Sequence, residues 1–226
     1  MCFQCCCCVL YFSCLCIRGK LCVTLSNGYG KTERTEMDFA LFSQGCCGSI
    51  RMVECLKAAG LVRVCEPGYE AAHTRYPPFR SPSKVLYMYG DPRNILLSCI
   101  NRGEEWIHAH CTALQGDVRY IKHNTDKILS DGYDPLHLET HFMNWFSLNP
   151  DYDIMFLKYE ALEDPKLFQQ VLDFFGVVST QTYDWCPRKT SYKNLSSEKQ
   201  IQITDLFSDL LKLQDQLPSC MVKGSS

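Results

Sequence analysis

The sequence predicts an α/β domain in three layers, a central and mostly parallel β-sheet flanked by helices. Two observations carry that prediction. Short apolar runs bounded by glycine, proline or polar clusters recur at 38–43, 61–65, 84–89 and 154–159. Between them the apolar residues return at helical spacing, and strands alternating with helices pair in parallel because each helix carries the chain back across the sheet. Length fixes the scale: 226 residues, 46% apolar and 21% charged, suit one core and leave little room for a second domain. A formal charge of -2 supplies no basic footprint, so nucleic acid is not expected as a partner.

Residues 1–35 stand apart as a cysteine-rich leader and linker. Of the 16 cysteines, Cys2, Cys5, Cys6, Cys7, Cys8, Cys14, Cys16 and Cys22 crowd this stretch, which carries no charge before Arg18. The apolar run is shorter than the ~20 residues of a membrane-spanning helix, and no basic segment precedes it as in a secretory signal. Three readings stand: a short membrane anchor, a cysteine cluster acylated at a membrane surface, or a low-complexity leader without fixed structure. Compartment stays open between the cytoplasm and a Golgi or other membrane-associated setting. The later cysteines (Cys46, Cys47, Cys55, Cys65, Cys99, Cys111, Cys186 and Cys220) form no C-x-x-C pair and are read as mostly reduced, buried thiols.

The domain spans 36–218, ahead of a tail at 219–226. Residues 38–43 read as a strand and 49–59 as a helix, with Ile50, Val53, Leu56 and Ala59 on one face and Gly60 as the stop. A second strand follows at 61–65, and the proline-rich stretch 69–83 is irregular. After the strand at 84–89, Pro92 opens a helix that runs to about Asn101. Residues 104–149 are helical in pieces, broken at 132–135, with Phe142, Trp145 and Phe146 facing the core. The strand at 154–159 leads to a helix punctuated by Asp164, Pro165 and Gly176. Residues 196–217 form one long amphipathic run.

The most informative segment is the turn Phe42-Ser43-Gln44-Gly45-Cys46-Cys47-Gly48-Ser49-Ile50, between a strand and a helix. Small residues let backbone amides converge, and the helix start offers unpaired N–H groups to an anion. Upstream, Gly30-Lys31-Thr32 imitates the end of a nucleotide-triphosphate loop, but Leu25 stands where that motif needs glycine.

Two later blocks join this turn. Tyr87-Met88-Tyr89-Gly90-Asp91-Pro92-Arg93, with Ser98 after it, resembles the 3′-phosphate-binding segment of sulfotransferases. Phe156-Leu157-Lys158-Tyr159-Glu160-Ala161-Leu162, running into a helix that ends Asp173-Phe174-Phe175-Gly176, is similar to that family's Leu-Arg-Tyr-Glu-Asp-Leu segment and its Phe-Leu-Gly ending. The resemblance covers roughly 37–218. It implies a P-loop-like domain that binds 3′-phosphoadenosine 5′-phosphosulfate (PAPS) and passes its sulfuryl group to a hydroxyl or amine of a small-molecule or glycan acceptor. By the same resemblance, Gly45, Cys46, Cys47, Gly48, Ser49 and Ile50 would cradle the 5′-phosphosulfate, Arg93 and Ser98 would lie near the 3′-phosphate, and Arg188 and Lys189 would cover the nucleotide.

The chain departs from the family at two positions. Cys46 stands two residues before Gly48, where the turn usually carries Lys or Arg, and Gly90 replaces the arginine at the end of the third strand. His73, in Ala72-His73-Thr74-Arg75-Tyr76-Pro77, is similar to the Thr-His-Leu-Pro segment of cytosolic members, which makes it the candidate general base. A non-enzymatic relative that keeps the fold and a weak nucleotide site is the alternative. A small-molecule kinase is disfavoured, because no Lys follows the turn's glycine and no Mg²⁺-holding aspartate stands out. His137 with His141, and His108 with His110, are read as helix-surface histidines, and no metal site is expected.

Overall fold

Side-chain alternation along the strands decides the layers. In the computed structural model, which describes residues 37–63, 73–77, 84–120 and 125–224, β1 (Met37–Ser43) and β3 (Lys84–Tyr89) are buried on both faces. Phe39, Leu41, Leu86 and Met88 point to one side, where they meet α1 (Ser49–Ala58) and α6 (Pro165–Phe175). Ala40, Phe42, Val85, Tyr87 and Tyr89 point to the other, against α2 (Pro92–Asn101), α3 (Glu104–Leu114), α4 (Thr125–Asp131) and α5 (Leu138–Ser147). Strands packed on both faces cannot alternate apolar with polar, which is why they appear in the sequence as continuous apolar runs.

The five-stranded sheet has the order β2-β1-β3-β4-β5, with β2 at Leu61–Arg63, β4 at Asp153–Lys158 and β5 at Cys220–Lys223. All neighbours are parallel except β4 and β5. From β1 the chain returns to β2 on one side, and from β3 it returns to β4 on the other. The crevice beyond the carboxyl ends of β1 and β3 is therefore the topological switch point, where ligands of open α/β sheets bind.

The expected elements differ from the observed ones at two places. Residues read as a tail include β5, whose Met155–Val222 and Phe156–Met221 pairs close the sheet in antiparallel fashion. The amphipathic run at 196–217 is two helices, α7 (Ser197–Leu206) and α8 (Ser208–Gln216), because Phe207 leaves helical geometry to bury its ring in the core. The leader, its three readings and the Gly30-Lys31-Thr32 decoy lie outside the described residues. Among the described residues no helix is long and apolar enough to cross a membrane.

Candidate functional site

The turn after β1 is pinned from below. The Gln44 amide donates to the Met88 carbonyl at 3.2 Å, and its buried side chain donates to the Leu138 carbonyl at 3.0 Å. Gly45, Cys46 and Gly48 then take left-handed backbone angles, with φ of 86°, 47° and 73°. Glycine is required twice: a Cβ at Gly45 would lie 2.5 Å from the His110 ring, and one at Gly48 would lie 2.5 Å from the Tyr159 ring. No side chain caps α1, and its first main-chain bond runs from Met52 to the Gly48 carbonyl at 3.0 Å. The amides of Ser49, Ile50 and Arg51 thus open the helix without an intrahelical acceptor, at the positive end of its dipole.

These amides border a cleft of about 530 Å³ at the switch point, a size that suits a small ligand. Arg51, Arg102, Arg188 and Lys189 line it against one carboxylate, Glu54. Arg51 is partly spent on Glu54 and Asp184, while Arg102 lies 4.7 Å over the Trp106 ring, giving the far wall a cationic aromatic face.

Arg188 is the best-placed of the four. Its Nη1 donates to the Cys46 carbonyl at 2.5 Å, its Nε lies 3.2 Å from Glu160 Oε1, and its plane sits 4.5 Å over Tyr159. The side chain is 11% exposed, and Nη2 finds no acceptor among the described residues. Its place explains Gly90. A Cβ there would lie 2.5 Å from Arg188 Nη2, so a cation that reaches in from the loop after α6 occupies the space that a side chain just past β3 would need.

His73 faces the same cleft. Trp145 Nε1 holds its segment through the Thr74 carbonyl at 2.9 Å, and Asn144 holds it through the Arg75 carbonyl at 3.4 Å. The ring's Nδ1 lies 3.0 Å from both the Ser43 hydroxyl and the Ser43 carbonyl. A carbonyl only accepts, so Nδ1 carries the proton and Nε2 the basic lone pair.

Beside the turn, Cys46 Sγ lies 3.5 Å from Cys99 Sγ and 4.0 Å from His110 Nε2. The bond from Cys99 pulls the Cys46 thiol below its ordinary pKa against the opposing effect of burial, with help from His110 and Arg102. The same bond pushes Cys99 up. This grouping has no counterpart in the sequence reading.

Of the residues singled out in the sequence, Cys46, Gly48, Ser49, Ile50, His73, Ser98, Arg188 and Lys189 line the cleft. Gly45 lies behind the turn against His110. Cys47 is fully buried beneath it, its thiol on the Met88 carbonyl and pushed up to about 12 by burial. Arg93 is also outside: Nε and Nη2 bind the Asp91 carboxylate at 2.9 and 2.7 Å, Nη1 reaches Thr204, and the plane stacks 3.8 Å over Tyr192. Sequence reasoning missed Asn101, Arg102, Trp106 and Thr190. The histidine expectation needs correction as well, since His110 and His141 are buried, not on the surface. His141 Nδ1 pairs with the Tyr87 hydroxyl at 2.9 Å, and burial drives its pKa down to about 3. Phe142 and Trp145 are fully buried, in the core as expected.

Comparison of the chain with protein-family models, with curated proteins and with solved structures finds no match in any of the three.

Proposed function

We propose that the cleft is the nucleotide site of a P-loop-like sulfotransferase, which takes the sulfuryl group of PAPS and delivers it to a hydroxyl or amine acceptor. One observation carries the reading: the uncapped start of α1 and the buried, partly unpartnered Arg188 converge on one cleft at the switch point. Both are donors that an anion would satisfy, and a buried donor without a partner costs about 1–3 kcal/mol in the unliganded protein. The three sequence blocks supply the identity of the anion.

PAPS, when bound, supplies an activated sulfuryl group on a 5′-phosphate leaving group. The chain's own residues divide the work. The Ser49, Ile50 and Arg51 amides would hold the 5′ anion, Ser98 and Arg102 would be left for the 3′-phosphate because Arg93 is committed to Asp91, and Trp106 would offer a stacking face. His73 Nε2 would take the proton of the attacking hydroxyl or amine of the acceptor. Arg188, with an unpartnered Nη2 in the cleft, would be the donor available to the charge that the departing 5′-phosphate side would gain.

A second reading, binding without turnover, is favoured by Cys46 at the position where the family carries Lys or Arg. Loss of such a donor costs ~10²–10³ in rate. The test is incubation of the full chain with PAPS and a panel of phenols, alcohols and amines, following release of 3′,5′-adenosine bisphosphate. Turnover that falls about 10²–10⁴-fold in His73→Gln, with bisphosphate affinity unchanged, is the expected result. Binding without release from any acceptor selects the second reading, and failure to bind the bisphosphate removes both.

A further inference from the structure

We propose that Cys46, Cys99 and His110 form a three-ligand site for Zn²⁺, with the fourth position left to a water or a ligand atom from the cleft. The residues come from three elements that converge beside the switch point: the left-handed turn after β1, the last turn of α2 and the second half of α3.

Geometry is the first argument. Tetrahedral zinc, with ligands at about 2.3 Å for sulfur and about 2.0–2.1 Å for nitrogen, separates two sulfurs by about 3.8 Å and a sulfur from a nitrogen by about 3.6 Å. The observed separations are 3.5 Å for the sulfurs and 4.0 Å for Cys46 Sγ to His110 Nε2, and all three ligand atoms lie within 4.8 Å of one another. Small side-chain rotations close the difference.

The second argument is the tautomer. His110 Nδ1 lies 3.1 Å from the Trp106 carbonyl, which only accepts, so the proton is on Nδ1 and the Nε2 lone pair faces the sulfurs. Metal-binding histidines are oriented in this way by a carbonyl or carboxylate behind the ring. The third is the cost the backbone bears to build the cluster. Gly45 has no room for a Cβ because the His110 ring is there, and Cys46 holds φ at 47°, unusual for a residue with a side chain. Two soft thiols and an imidazole select zinc over magnesium or calcium. Three protein ligands beside an accessible cleft match the open coordination of reactive zinc sites more closely than the closed four-ligand structural kind. Cys46 and His110 both line that cleft, and the His73 ring stacks on His110 with centroids 5.0 Å apart.

The site rests on its own ligands, and its test contains no nucleotide, so it and the nucleotide reading fail separately. The full chain, reduced and stripped of metal, is titrated with Co²⁺ and then Zn²⁺ alongside Cys46→Ser and His110→Gln, each checked for folding by circular dichroism. Metal held by the leader cysteines is common to all three proteins, so the difference is the measurement. The expected result is one more tightly held equivalent of Zn²⁺ in the unsubstituted chain, with an added thiolate-to-cobalt absorption that Zn²⁺ displaces. A Zn²⁺-dependent rise in melting temperature, reversed by chelator and absent from both variants, completes it. Equal stoichiometry and identical cobalt spectra in all three would overturn the proposal. So would a Cys46–Cys99 disulfide that resists reductant and is still present after zinc treatment. If His110→Gln does not fold, Cys46→Ser, at a half-buried position, carries the comparison alone.

Discussion

Arg93 and Arg188 stand at the same edge of the sheet, and sequence assigned both to the nucleotide, yet their surroundings make them different tools. Arg93 is saturated: two contacts to Asp91, one to Thr204 and the face of Tyr192 use its charge, its donors and its plane. Arg188 shares Glu160 with the Asp91 amide, spends one nitrogen on the Cys46 carbonyl and keeps another in reserve. The lesson is that a motif places a charge near a ligand, whereas the partners of that charge decide whether it is available. Arg93 ties α2 to α7, and Arg188 serves the cleft.

The largest expected effect falls on the saturated arginine. Arg93→Gln leaves the Asp91 carboxylate, 14% exposed, with only its cap bond from the backbone amide of residue 93, and should cost about 3 kcal/mol of stability, read as a lower denaturation midpoint. Bisphosphate affinity of the folded fraction should stay within about twofold, and a larger loss would erase the distinction between the two arginines. Arg188→Gln should act in the opposite sense. Losing one charge-assisted contact costs ~1.5–3 kcal/mol, so affinity should fall about tenfold to a hundredfold in calorimetric titration.

The histidines sharpen the same contrast. His141 is enclosed by Tyr87, Trp145 and the core, with His73 and Arg75 adding to the pressure against its charged form. Its folded pKa of about 3 lies below the ordinary 6.5, so the neutral ring's contribution is intact above about pH 6.5 and is lost as pH falls toward 3. Stability should drop by up to about 1.4 kcal/mol per pH unit through that window. His141→Gln should flatten the slope in denaturation series at pH 7, 6 and 5, and an unchanged slope would place the acid sensitivity elsewhere. The smallest effect belongs to Gly90→Ala. The new methyl meets the ends of the Arg188 and Glu160 side chains, at 2.5 and 3.2 Å, which can give way, so the fold should lose about 1 kcal/mol. Affinity should fall several-fold as the guanidinium is pushed aside.

What the sequence showed depended on whether its signals were local. The helix at Pro165–Phe175 was readable to the residue because Asp164, Pro165 and Gly176 act within one turn of its ends. The tight turn from β1 into α1 was readable for the same reason. β5 was not: four residues with mixed exposure gain strand geometry only from β4, more than sixty positions earlier in the chain. The Cys46–Cys99–His110 grouping joins residues 53 and 64 positions apart, and no spacing rule reaches that far. Ser98 even pointed away from it, since neighbouring helical residues diverge by about 100° and a cleft-facing Ser98 argues against a role for Cys99. Gly90 was legible as a departure but not as an accommodation, because its reason is a side chain from another loop.

The most direct test is calorimetric titration of 3′,5′-adenosine bisphosphate into the full chain, with Arg93→Gln and Arg188→Gln as paired controls. Saturable binding that survives the first substitution and weakens at least tenfold in the second is the result this account requires. No heat at millimolar ligand, or equal loss in both variants, would contradict it.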